Sequence, residues 1–127
     1  MATRSRIGIE LSNGDVLSVY HHWDGYPQWL GKQLREHFNT TEKVSELIDG
    51  GDMSVCLTDE GEPSPQYYSQ RGEDCPPRLD ETLGSYANKD AGEEYHYYWS
   101  RKLRRWVCID MHSFDYRKEP EVVAIPS

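Results

Sequence analysis

The segment Ser12-Asn13-Gly14-Asp15 constrains the fold most, because it fixes a turn, two strands and their register together. Ile7, Ile9 and Leu11 alternate before it, and Val16 to Trp23 resumes an extended run after it. Alternation on both sides of a turn sequence predicts a β-hairpin over residues 7–23. A two-residue Asn13-Gly14 loop would pair Leu11 with Val16 but set Ile9 opposite Ser18. A three-residue loop, with Gly14 left-handed as a bulge, sets Ile9 opposite Leu17 and Ile7 opposite Val19. The second register gathers four aliphatic side chains on one face, so it is the one expected.

Two short helices are expected over residues 27–50. Pro27 suits a first helical turn, and Leu30, Leu34 and Phe38 recur every four residues on one side. Asn39 with Glu42 three residues on matches a capping box, and Val44, Leu47 and Ile48 form the next apolar stripe before Gly50-Gly51 ends it. Met53 to Leu57 reads as a strand. From 58 to 93 the periodicity dissolves among Pro63, Pro65, Pro76 and Pro77, which predicts a long irregular loop. Order returns in an aromatic hairpin over 94–111. Tyr95, Tyr97 and Trp99 share one face there, with His96 and Tyr98 on the other. Trp106, Cys108 and Asp110 alternate with Val107, Ile109 and Met111. Residues 122–125 add a candidate edge strand before Pro126.

These elements describe a single α+β domain spanning 1–127: a mainly antiparallel sheet, two short helices packed on one face, and a long acidic loop. At 127 residues the chain is one domain in size, and 12% aromatic content is enough for a core that leans on large rings.

Charge narrows the function. The net charge is −8, and the segment Glu42–Glu94 holds 14 acids against 4 bases, a net of −10. That balance repels nucleic-acid backbones and anionic lipid, so neither is an expected partner. It suits a basic surface on another protein. Asp59, Glu60, Glu62, Glu73, Asp74, Asp80 and Glu81 are the residues expected to present it.

No catalytic constellation is legible. Gly50-Gly51 follows a helix rather than a strand, and no P-loop, nucleophile elbow or HExxH occurs. The three cysteines, Cys56, Cys75 and Cys108, form neither a zinc pattern nor a closed disulfide set. No metal, no cofactor and no enzymatic activity are therefore expected. Residues 1–6 lack an apolar leader, and no stretch approaches the ~18 apolar residues of a membrane span, so a reducing cytoplasmic location is expected.

The densest group of functional side chains is His21-His22-Trp23-Asp24-Gly25-Tyr26-Pro27, where a strand hands over to a helix. It admits a His–Asp pair, but it also reads as plain structure: Trp23 anchored in the core, Asp24 bonding the turn backbone, Pro27 opening the helix. A small-ligand alternative uses His22, Asp24, Tyr26, Trp99, Arg104 and Arg105. In it, rings that include Trp29, Tyr95, Tyr97 and Trp106 stack on a nucleotide-derived signal, and the arginines meet its phosphate.

The run from Tyr20 to Pro27, with Gly31, Leu34, His37-Phe38-Asn39, Lys43-Val44, Leu47-Ile48 and Gly51-Asp52-Met53-Ser54, resembles a family of small bacteriophage and prophage proteins. Its members share an "HWDGYP" turn and a "GD-S" segment. The resemblance spans residues 7–54. It implies a phage accessory protein acting in the host cytoplasm by binding and inhibiting a host protein, of the anti-CRISPR or other anti-defence kind.

Overall fold

The structure, a computed structural model, describes residues 3–87, 92–112, 117 and 121–126. The first hairpin pairs β1 (Ser5–Glu10) with β2 (Val16–His21) in the expected register, Ile7 opposite Val19 and Ile9 opposite Leu17. Gly14 carries the turn at φ +92°, where a side chain would be strained. Its N–H bonds Leu11 O at 3.0 Å, and Leu11 N–H bonds Asp15 O at 2.8 Å.

After β2 the chain makes a π-helical turn (Pro27–Gly31) that runs directly into α1 (Lys32–His37), followed by α2 (Thr41–Asp49). Leu30, Leu34, Phe38, Val44, Leu47 and Ile48 are all buried, as their spacing predicts. The capping residue differs from expectation. Thr40, not Asn39, accepts the Lys43 N–H at 3.2 Å, while Asn39 folds back to Glu36 O. Thr40 has the extended backbone that an N-cap needs directly before the helix (φ −136°, ψ 156°).

The loop expected over 58–93 is built differently. It contains β4 (Pro63–Tyr67), a 3-10 turn (Tyr68–Arg71), β5 (Arg78–Asp80) and α3 (Leu83–Ala87). With β3 (Met53–Leu57), β6 (Tyr95–Ser100), β7 (Arg105–Asp110) and β8 (Glu121–Val123) it completes one sheet, ordered β4-β3-β2-β1-β6-β7-β8, with β5 also paired to β2. The sheet is mixed rather than mainly antiparallel. β1 runs parallel to β6 over five residue pairs, and β2 meets β3 in parallel at His21 and Met53. The helices between β2 and β3 form the long crossover that parallel neighbours require. No local turn signal announces the β1–β6 pairing, because it joins segments about 90 residues apart.

Both faces of this sheet are covered, again unlike the expectation of helices on one side. On one face α1 and α2 pack on Ile7, Ile9, Val19, Met53, Cys56, Tyr97, Trp99, Trp106 and Cys108. Trp106 locks α1 in place, its indole N–H donating to Leu34 O (3.1 Å) and Phe38 O (2.8 Å). On the reverse face α3 lays Tyr86 over Gly8. A Cβ at Gly8 would sit 3.2 Å from the Tyr86 ring and 3.1 Å from Val16, so glycine leaves the room the ring takes. Tyr86 Oη then donates to Tyr97 O at 2.6 Å. Among the described residues, no helix is long and apolar enough to cross a membrane.

Candidate functional site

The acidic residues are fixed to the framework. The β3–β4 connection closes on itself through Thr58 N–H to Glu62 O (2.8 Å) and Glu62 N–H to Thr58 Oγ1 (3.1 Å). The chain after β4 is tied back by Tyr68 N–H to Asp52 O, Glu73 N–H to Tyr68 O and Asp52 N–H to Cys75 O. Asp59, Glu60, Glu62, Glu73, Asp74 and Glu81 are exposed. Asp80 is not: it is 2% exposed and pairs with Arg78 of the same strand at 3.1 Å. Since β1 occupies one side of β2, both β5 and the β3–β4 ribbon lie on its other side. Carboxylates therefore follow that side of the sheet from the Thr58–Glu62 turn to Glu81. At ~3.3 Å per strand residue this is a distance of about 30 Å.

The HHWDGYP turn stands beside this acidic edge. His22 N–H and Trp23 N–H both donate to Ser54 O of β3, at 3.2 and 2.9 Å. Gly25 is wedged against β1. Its N–H bonds Thr3 O at 2.8 Å, its carbonyl accepts from Tyr97 Oη at 2.7 Å, and a Cβ there would lie 2.5 Å from Ser5 Oγ. To reach that wedge the chain turns through Asp24 in the left-handed region, φ +55°, a conformation that costs a non-glycine residue about 1 kcal/mol.

The side chains of this turn divide in two. His21 is core. Burial, then the neighbouring His22, push its pKa down to about 3, so it is neutral. Its Nε2 accepts from Cys56 N–H (3.2 Å), which leaves Nδ1–H to face Ser5 Oγ (3.4 Å). Trp23 is not anchored in the core: it is 47% exposed, and Tyr26 is 37% exposed. Asp24 is exposed and makes no hydrogen bond or ion pair with the described residues, so it does not bond the turn backbone. His22 sits between Tyr20, whose Oη is 2.7 Å from His22 Nδ1, and Trp23, in edge contact at a 4.6 Å ring separation.

The residues of the small-ligand set are scattered. Trp99 is buried and donates to Thr41 Oγ1, and Tyr97 and Trp106 are also core. Arg104 and Arg105 are exposed on the β6–β7 turn and border two different recesses. That turn lies at the Glu10 end of β1, whereas His22, Asp24 and Tyr26 lie at the Ser5 end. Arg101 N–H bonds Glu10 there at 3.1 Å. Burial pushes the Cys56 and Cys108 thiols up to about 12, and Cys75 is also raised, so none is an activated nucleophile. Among the described residues no group of three or more His, Cys, Asp or Glu could hold a metal ion.

Sequence reasoning missed one buried polar cluster, under α3. Arg6 donates to Ser18 Oγ (3.0 Å) and Ser18 O (3.1 Å) and pairs with Glu93 at 3.4 Å. Glu93 Oε2 lies 4.0 Å from His96 Nε2. Burial opposes charge on Glu93, but His96, backbone hydrogen bonding and Arg6 outweigh it and hold its carboxyl at about 2. The signal was present: Arg6 and Gly8 alternate with Ile7 and Ile9, an unusual pair of residues for the second face of a central strand. His112 is clamped between Asp110 (2.7 Å) and Glu94 (3.4 Å).

Comparison of the chain with protein-family models, with curated proteins and with solved structures finds no match.

Proposed function

We propose that the chain is a non-enzymatic binding protein whose acidic edge docks on a basic surface of a partner protein and inhibits it. The observation that carries this reading is the row of exposed carboxylates, Asp59, Glu60, Glu62, Glu73, Asp74 and Glu81, held on strand connections along one side of the sheet. Charges on a hydrogen-bonded framework lose less conformational freedom on binding than charges on a free loop. They also project a directed field that steers an oppositely charged partner. The resemblance to small phage proteins supports a host protein as the partner, and an anti-CRISPR or other anti-defence inhibitor as the class. The nucleotide-sponge alternative has weaker support, because Tyr97, Trp99 and Trp106 are buried and its arginines lie at the far end of the sheet from the turn.

The test reverses Asp59, Glu60, Glu73, Asp74 and Glu81 to Lys, leaving the buried Asp80 in place. Wild type, used as bait in a host lysate, should recover a basic protein in a 1:1 ratio. The reversed variant should associate with that protein at least about tenfold more slowly at low salt, and the gap should close once the Debye length falls well below ~8 Å. Equal association rates at low salt, with both variants folded by circular dichroism, would reduce the acidic edge to solvated surface.

A further inference from the structure

The HHWDGYP turn exposes an indole and sets an imidazole ring against it. Trp23 keeps 47% of its surface in water. A short relay of contacts leads to it. Tyr20 Oη bonds His22 Nδ1 at 2.7 Å, and the His22 ring meets the indole at 4.6 Å with planes at 87°. Behind the relay the backbone is fixed twice to Ser54 O and once, through Gly25, to Thr3 O. Asp24, the next residue, takes a left-handed backbone, is exposed, and has no hydrogen-bond or ion-pair partner among the described residues. Tyr26 adds a second half-exposed ring three residues on.

An aromatic face attracts cations through its quadrupole, and an adjacent carboxylate adds a Coulombic hold on the same group. An exposed Trp followed by an exposed Asp that has no partner among the described residues is therefore suited to an arginine or lysine head group, arginine better because its planar guanidinium also stacks. The turn is continuous with the acidic edge, since Ser54, which fixes it, also donates to Gln66 O of β4 at 3.3 Å. Resting on the binding reading above, we infer that Trp23 and Asp24, flanked by Tyr26, form the anchor that receives an arginine side chain of the protein partner. The acidic edge governs encounter, while the anchor governs residence.

The probe is an eight-residue arginine peptide titrated against the full chain, with an eight-residue glutamine peptide as control. The Trp23 indole N–H resonance, identified by its loss in W23F, should move with the arginine peptide and stay in place with the glutamine peptide. W23L should weaken arginine-peptide binding about threefold to fivefold, the range of an exposed cation–π contact, and W23F should keep most of it. D24N removes the charge with a residue that also tolerates the left-handed backbone, and should weaken binding as well. Melting temperatures of all three variants should match wild type. An unmoved Trp23 resonance, or W23L binding as tightly as wild type, overturns the anchor. If the charge-reversed edge variant loses the peptide while W23L retains it, the edge reading stands and the anchor falls. If neither variant changes affinity, both fall.

Discussion

Replacing Glu93 by Gln removes one charge from a buried cluster and keeps the side chain's shape. Glu93 and Arg6 have side chains only 4% and 8% exposed, so neither ion is much screened by water. A carboxyl held at about 2 instead of 4.5 in the folded state stores about 3 kcal/mol of stability at neutral pH, at 1.36 kcal/mol per pH unit. An independent route gives the same scale, since breaking a buried ion pair by removing one partner typically costs about 3–5 kcal/mol. The sign follows from the depressed value. The contribution is complete above 4.5, the ordinary value, and is lost as pH falls toward 2. Urea unfolding of wild type and E93Q, followed by circular dichroism between pH 7 and pH 2, should show a gap of about 3 kcal/mol at neutral pH that narrows steadily below pH 5. Other carboxylates titrate in the same window, but they do so in both proteins, so the difference isolates Glu93. A neutral-pH gap below about 1 kcal/mol, or parallel profiles down to pH 2, would refute the view that this pair is charged and holds the sheet to the segment before β6.

Two further substitutions test the packing and the exposed histidine. Trp106→Ala should cost about 3–5 kcal/mol in guanidinium unfolding, through the cavity beneath α1 and the two carbonyls left without a donor. Trp106→Phe should recover all but about 1–2 kcal/mol, because it loses chiefly the hydrogen bonds. His112 is raised above its ordinary 6.5, first by its hydrogen bond to Asp110 and further by Glu94. Its stabilisation is therefore present below pH 6.5 and lost as pH rises through the raised folded value. At 49% exposure the effect is screened, so wild type should exceed H112Q by no more than about 1 kcal/mol at pH 6 and by less at pH 8 in urea unfolding.

The readable part of the fold was the part governed by near neighbours. The Gly14 bulge fixed the first hairpin's register because only one loop length kept Ile7, Ile9, Leu17 and Val19 together. The four-residue spacing of Leu30, Leu34 and Phe38 gave the buried helix face for the same reason. The parallel β1–β6 contact was not legible, since it depends on which edge stays open after the rest has folded. The strands and helix within 58–93 were hidden by proline. Pro63 and Pro65 sit on β4, the edge strand of the sheet, where a missing N–H leaves no ladder bond unmade. Asp80 read as one more surface acid because composition does not distinguish an acid beside an inward-facing Arg78 from its solvated neighbours.

Trp23 shows how the candidate site differs from the core in kind. A tryptophan in a strand-to-helix turn is ordinarily explained by burial, and that explanation fails here because the work of anchoring is done by other groups. Ser54 O holds the backbone, Gly25 fits against Ser5, and Tyr97 reaches across to the Gly25 carbonyl. The turn therefore has its fixings without the indole, and its strained residue carries an exposed carboxylate with no partner among the described residues. The Tyr20–His22 relay meets the indole from one side, and close to half of the Trp23 surface stays open to solvent. His21, Gly25 and Tyr97 make the fixings, and Trp23, Asp24 and Tyr26 are the residues proposed for recognition. Along residues 21–27 the buried His21, Gly25 and Pro27 are interleaved with the exposed Trp23, Asp24 and Tyr26, and that interleaving explains why the motif reads as structure and as site at once.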